Sequence, residues 1–75
     1  MKKKLLIHGM KQLIDLNHVA VSVPEDVWLT SEDGSARANA KSGLNLFALD
    51  LDKPVYVETD SQVVIDAVDQ IALAL

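Results

Sequence analysis

Cysteine is absent from the 75 residues, which excludes a disulfide framework, thiolate metal sites and cysteine nucleophiles and leaves a reducing compartment as the expectation. No stretch approaches the roughly 18 to 20 apolar residues that a membrane span needs, so a soluble, cytoplasmic protein is expected. Cationic residues are few, 7 Lys and Arg against 11 Asp and Glu for a net charge of −4. That field repels phosphate backbones and makes nucleic acid a poor candidate partner. With no linker, internal repeat or low-complexity segment, residues 1–75 read as one domain. Its size is one at which a single apolar core only just outweighs conformational entropy.

What is present is a succession of short amphipathic segments. Lys2, Lys3 and Lys4 precede an apolar run, Leu5 to Ile7, that is too short for the h-region of a signal peptide. The segment is read as a mature start and a first strand, ended by His8-Gly9, where glycine permits a sharp change of direction. From Met10 the positions Met10, Leu13, Ile14 and Val21 recur at helical spacing, with Lys11, Gln12, Asp15 and His18 opposite and Leu16 fitting less well. This predicts a helix over about Met10 to Ala20, stopped by the β-branched run Val19 to Val23 and by Pro24.

Val27 and Leu29 alternate with Trp28 and Thr30, and Glu32-Asp33-Gly34 turns the chain. Ala36, Ala38 and Ala40 then alternate with Ser35, Arg37 and Asn39. This is a hairpin with one small-residue face, over which a helix is expected to lie close. Ser42 is placed to cap a short helix carrying Leu44, Leu46, Phe47 and Leu49 and ending around Asp50 to Asp52. Val55, Val57 and Thr59 alternate in a fourth strand. Asp60 or Ser61 caps a closing helix whose stripe is Val64, Val68, Ile71 and Leu75. The order is βαββαβα. Its economical packing is an α+β open-faced sandwich: a four-stranded, mostly antiparallel sheet with three helices on one face and the other face open.

The segment Ala40-Lys41-Ser42-Gly43-Leu44-Asn45-Leu46-Phe47-Ala48-Leu49-Asp50-Leu51 resembles the A-K-S block of HPr, the histidine-containing phosphocarrier of the bacterial sugar phosphotransferase system. The element order matches too, and the similarity spans about Glu25 to Leu75. It is closer to short HPr-like proteins of Gram-positive bacteria in which the block runs on as Leu49-Asp50-Leu51-Asp52-Lys53-Pro54 does here, and which lack the phosphoryl-accepting motif. The HPr pattern G-[LI]-H-x-R-P-A corresponds to His8-Gly9-Met10-Lys11-Gln12-Leu13. Here no glycine-leucine pair precedes the histidine, no Arg lies two residues on and no Pro opens the helix. The resemblance therefore implies the fold without the catalytic residues.

His8 immediately precedes a helix whose amides favour an anion, and Lys11 could add a cation, so His8 is a weak candidate phosphoryl acceptor; the plainer reading is a surface imidazole. His18 reads as a solvated helix position, and the two histidines form no recognisable metal site. Neither a metal nor a cofactor is expected. Ser42 matches the serine that a kinase phosphorylates in HPr of many Gram-positive bacteria, beside its plainer role as a helix cap. The resemblance further implies a protein-docking surface at Gly43, Leu44 and Phe47, with Met10 at the start of the first helix. Helical spacing cannot bury Leu44, Leu46, Phe47 and Leu49 equally, and Leu44 and Phe47 are expected to face outward. Trp28, Arg37 and Tyr56 share the open sheet face in an arrangement like a platform for single-stranded nucleic acid, but one Arg does not make a basic groove. Glu32 and Asp33 are turn formers.

The expectation is a non-enzymatic HPr-like protein that binds a phosphotransferase-system component or a regulator. The alternatives are a working phosphocarrier using His8 and a structural or self-associating domain, including a homodimer.

Overall fold

A computed structural model describes residues 1–46 and 49–74. Its elements are β1 (Lys2–Leu6), α1 (Gly9–Val21), β2 (Val27–Ser31), β3 (Arg37–Asn39), α2 (Gly43–Leu46), β4 (Val55–Thr59), α3 (Gln62–Ile71) and β5 (Leu73–Ala74). They form one antiparallel sheet in the order β3-β2-β4-β1-β5, with the three helices on one face. This is the expected α+β open-faced sandwich with a short fifth strand added. No helix among the described residues is long and apolar enough to cross a membrane.

Period-two alternation sorts each strand's side chains between the two faces. Leu5, Val27, Leu29, Ala38, Val55 and Val57 point to the helices and are buried. Across from them α1 contributes Leu13, Leu16 and Ala20, α2 contributes Leu46, and α3 contributes Val64 and Val68. Alanine at 38 and 40 lets α2 lie against β3, as the small-residue face of the hairpin implied.

The hairpin turn is held by one carboxylate. Asp33 Oδ1 accepts from the Ser35 amide (2.9 Å), the Ser35 hydroxyl (2.7 Å) and the Ser31 hydroxyl (2.9 Å). These bonds, those from Ser35 foremost, lower its pKa to about 2. Gly34 follows at φ 78°, a left-handed conformation that glycine adopts without a Cβ penalty.

Three sequence expectations are corrected. The buried stripe of α1 is Leu13, Leu16 and Ala20, whereas Met10, Ile14 and Val21 are 54, 47 and 55 % exposed. The seven apolar side chains of α1, Val19 included, spread over more than half the helix circumference, so periodicity alone did not choose the side; packing against α3 and α2 did. Secondly, the closing helix stops at Ile71. The chain turns extended, and Leu6 and Leu5 of β1 pair with Leu73 and Ala74. Leu75, assigned to the helical stripe, lies outside the described residues. Thirdly, Ser42 does not cap α2 with its side chain; of the helix expected to carry Leu44, Leu46, Phe47 and Leu49, the described part is Gly43–Leu46. The Ser42 carbonyl accepts from the Asn45 amide at 3.1 Å, but its hydroxyl makes no hydrogen bond among the described residues. At α3 the cap does form: Ser61 Oγ accepts from the Val64 amide at 3.3 Å.

Candidate functional site

Two concavities flank α1. The first lies at its start, where β1 delivers Ile7 and His8 to the helix. His8 is the N-cap residue, extended at φ −104° and ψ 101°, and its side chain caps nothing. Its amide donates instead to Gln12 Oε1 at 2.5 Å, a side chain returning from the first turn to an otherwise unpaired N–H. Gly9 then takes φ 81°, which a residue with a Cβ would adopt only under strain.

The exposed imidazole of His8 borders a cavity of about 540 Å³ shared with Met10, Leu13, Leu49, Leu51 and Asp52. Among the described residues no arginine or lysine lines it, and the Asp52 carboxylate repels a phosphate there. Lys11, the cation expected to assist, is held by Asp15 at 3.0 Å in an i,i+4 pair along the helix. His8 therefore occupies a helix start without the cations that would steady phosphoryl oxygens. His18 is exposed in the last turn of α1. No three His, Asp or Glu side chains among the described residues converge as metal ligands.

The second concavity is an apolar groove of about 360 Å³ between α1 and α2, lined by Leu13, Ile14, Asn17, Gly43, Leu44 and Leu46. Its floor is buried Leu13 and Leu46, and its walls are half-exposed Ile14 and Leu44, which is 84 % exposed. Asn17 Nδ2 fixes the two sides by donating to the Ala40 carbonyl at 2.8 Å. The Gly43 position faces Asn17 closely enough that an added Cβ would lie 3.9 Å from that nitrogen, an ordinary contact. Met10, Ile14 and Val21 follow one another at spacings of four and seven and form a single exposed stripe leading along α1 past the groove.

Of the expected docking residues, the structure thus brings Gly43 and Leu44 together and places Met10 on the adjoining stripe. Phe47 lies outside the described residues. Sequence reasoning missed Ile14 and Asn17, having assigned Ile14 to the core. Asn17 interrupts the apolar pattern of α1 between Leu13 and Ala20, and that was the one signal that could have marked it. Ser42 is half-buried at the groove's approach. On the far side of the molecule, Trp28, Arg37 and Tyr56 do share the open sheet face, as expected. Arg37 stacks on Trp28 with its guanidinium 4.0 Å from the ring centre. Compared with protein-family models and with curated proteins, the chain matches none.

Proposed function

We propose that the chain is a non-enzymatic, HPr-like protein-binding module of the cytoplasm whose partner, a phosphotransferase-system component or a regulator, docks in the groove between α1 and α2. The observation that carries this reading is the exposed apolar set Met10, Ile14, Val21 and Leu44 beside a preformed groove. Covering what these four side chains still expose would contribute about 4 to 7 kcal/mol, against association costs of about 4 to 15 kcal/mol. Those magnitudes suit a transient complex of the kind a regulatory domain forms. Among the described residues no cation lines the cavity beside His8 and the Asp52 carboxylate does, which favours binding over phosphoryl transfer. Ser42, half-buried where the chain enters α2, is the proposed switch: a phosphate there would place two negative charges at the groove's edge.

The test titrates isotope-labelled protein with enzyme I and the other phosphotransferase components while following its amide resonances. The expected result is shifts confined to residues around Ile14, Gly43 and Leu44, lost in the double variant Ile14→Asp, Leu44→Asp. No response to any component would remove the proposed partner class. A parallel incubation with phosphoenolpyruvate and enzyme I is expected to leave the intact mass unchanged. An acid-labile gain of one phosphate, lost in His8→Ala, would instead make the protein a carrier.

A further inference from the structure

The sheet face opposite the helices carries a second, chemically different surface. Its strand positions are Lys2, Lys4 and Leu6 on β1, Tyr56 and Glu58 on β4, Trp28 and Thr30 on β2, and Arg37 and Asn39 on β3. The register sets them in two rows across the strands, Lys2–Glu58–Trp28–Asn39 and Lys4–Tyr56–Thr30–Arg37. Alternation splits the lysine run: Lys3 goes to the helix face and pairs with Asp69 of α3, while Lys2 and Lys4 go to the open face. Three cations and one carboxylate, Glu58, therefore occupy these positions on a molecule whose net charge is −4. Lys4 is also met by Glu32 at 3.1 Å, but Lys2 and Arg37 have no carboxylate partner among the described residues.

The aromatic rings sit diagonally on the adjacent strands β2 and β4. The Arg37 guanidinium lies on Trp28, and the Lys2 and Lys4 ammonium groups approach Tyr56 at 4.8 and 5.9 Å from the ring centre. Two stacking surfaces bounded by cations are what single-stranded nucleic acid uses: bases stack on aromatic side chains and guanidinium planes, and phosphates take the cations. The rim beyond Trp28 carries Glu25, Asp26 and Asp60. A strand would therefore cross the sheet along the Arg37–Tyr56–Lys4 row, reaching Trp28 and Lys2 from that side, with the acidic rim beyond them.

The overall acidity does not decide against such a ligand. Asp15 and Asp66 belong to the helical layer on the other side of the sheet, Asp69 is paired with Lys3 and Glu32 with Lys4, and Glu25, Asp26 and Asp60 lie at the Trp28 rim, so the carboxylates are concentrated away from the Arg37–Tyr56–Lys4 row. We propose that the open sheet face binds a short single-stranded oligonucleotide, with bases stacked on the Trp28–Arg37 pair and on Tyr56 and phosphates contacted by Arg37, Lys2 and Lys4. This site is independent of the groove between α1 and α2 and stands or falls separately from it.

Trp28 is the one tryptophan of the chain and reports on this face directly. The experiment titrates the protein with octathymidylate, following Trp28 fluorescence and the anisotropy of a labelled copy of the same oligonucleotide. The expected result is saturable quenching that weakens about 20-fold between about 50 and about 200 mM salt, the dependence for three phosphates contacted on a single strand. The double variant Lys2→Ala, Arg37→Ala, whose folding is checked by its thermal melt, should cut that dependence to about threefold. Tyr56→Ser should weaken binding without changing the salt slope. Absence of binding at low salt would overturn the proposal. So would equal binding of a duplex of the same length, or of polyglutamate, which would make the face a general anion or acidic-protein surface.

Discussion

The side-chain amide of Asn17 donates to the carbonyl of Ala40 across 23 residues of sequence, at 2.8 Å, and ties the middle of α1 to the turn between β3 and α2. Ala40 is fully buried, and its own amide is satisfied by Val27 at 2.8 Å. Asn17 is thus the partner of a carbonyl that water does not readily reach. Asn17→Ala should destabilise the domain by about 1 to 3 kcal/mol, the cost of leaving a buried acceptor unpaired. Urea unfolding measures this, and amide shifts at Gly43 and Leu44 should show the groove wall moving in the same variant.

The orientation of α1 makes a paired prediction. Leu16 is 1 % exposed and Ile14 47 %. Leu16→Ala should cost about 2 to 5 kcal/mol and Ile14→Ala about 0.5 kcal/mol or less. For a chain of this length, total stability is about 4 to 11 kcal/mol, so the first variant approaches unfolding. Equal losses would mean that the helix is rotated from the orientation described.

Two serines that precede helices should behave differently. Ser61 is buried and accepts from the Val64 amide, so Ser61→Ala should cost about 1 kcal/mol. Ser42 makes no such bond, and Ser42→Ala should leave the denaturation midpoint unchanged. A Ser42→Ala loss as large as that at Ser61 would restore the capping role expected from sequence.

Asp33 predicts a pH dependence of definite sign. Its folded pKa of about 2 lies below the usual 3.8 because Ser35 and Ser31 donate to the ionised carboxylate. A depressed carboxylate pKa contributes stability that is complete above the unfolded value and is lost as pH falls through the folded one. Asp33→Asn keeps an acceptor oxygen but does not titrate. Wild type should therefore exceed Asp33→Asn in stability at about pH 5, and the gap should close as pH falls from about 4 towards about 2. A gap independent of pH would assign the effect to turn geometry alone.

The fold was readable where a single period decided the matter. β2 and β4 alternate cleanly, Val27, Leu29, Val55 and Val57 are buried as their spacing implies, and Ser61 marks the start of α3. The site was only partly readable. Leu44 could be placed outward because helical spacing cannot bury Leu44, Leu46, Phe47 and Leu49 equally, but Ile14 could not, since its neighbours Leu13 and Leu16 are equally apolar.

Local sequence determined which segments become strands and helices, because hydrophobic period, caps and breakers act over a few residues. Tertiary structure alone decided which side of α1 is buried. It also drew Leu73 and Ala74 onto the free edge of β1 and set Lys2 and Lys4 beside Tyr56, on the sheet face that also carries Trp28 and Arg37. Each of those outcomes depends on pairing register and packing between segments distant along the chain, and no local pattern encodes the partner.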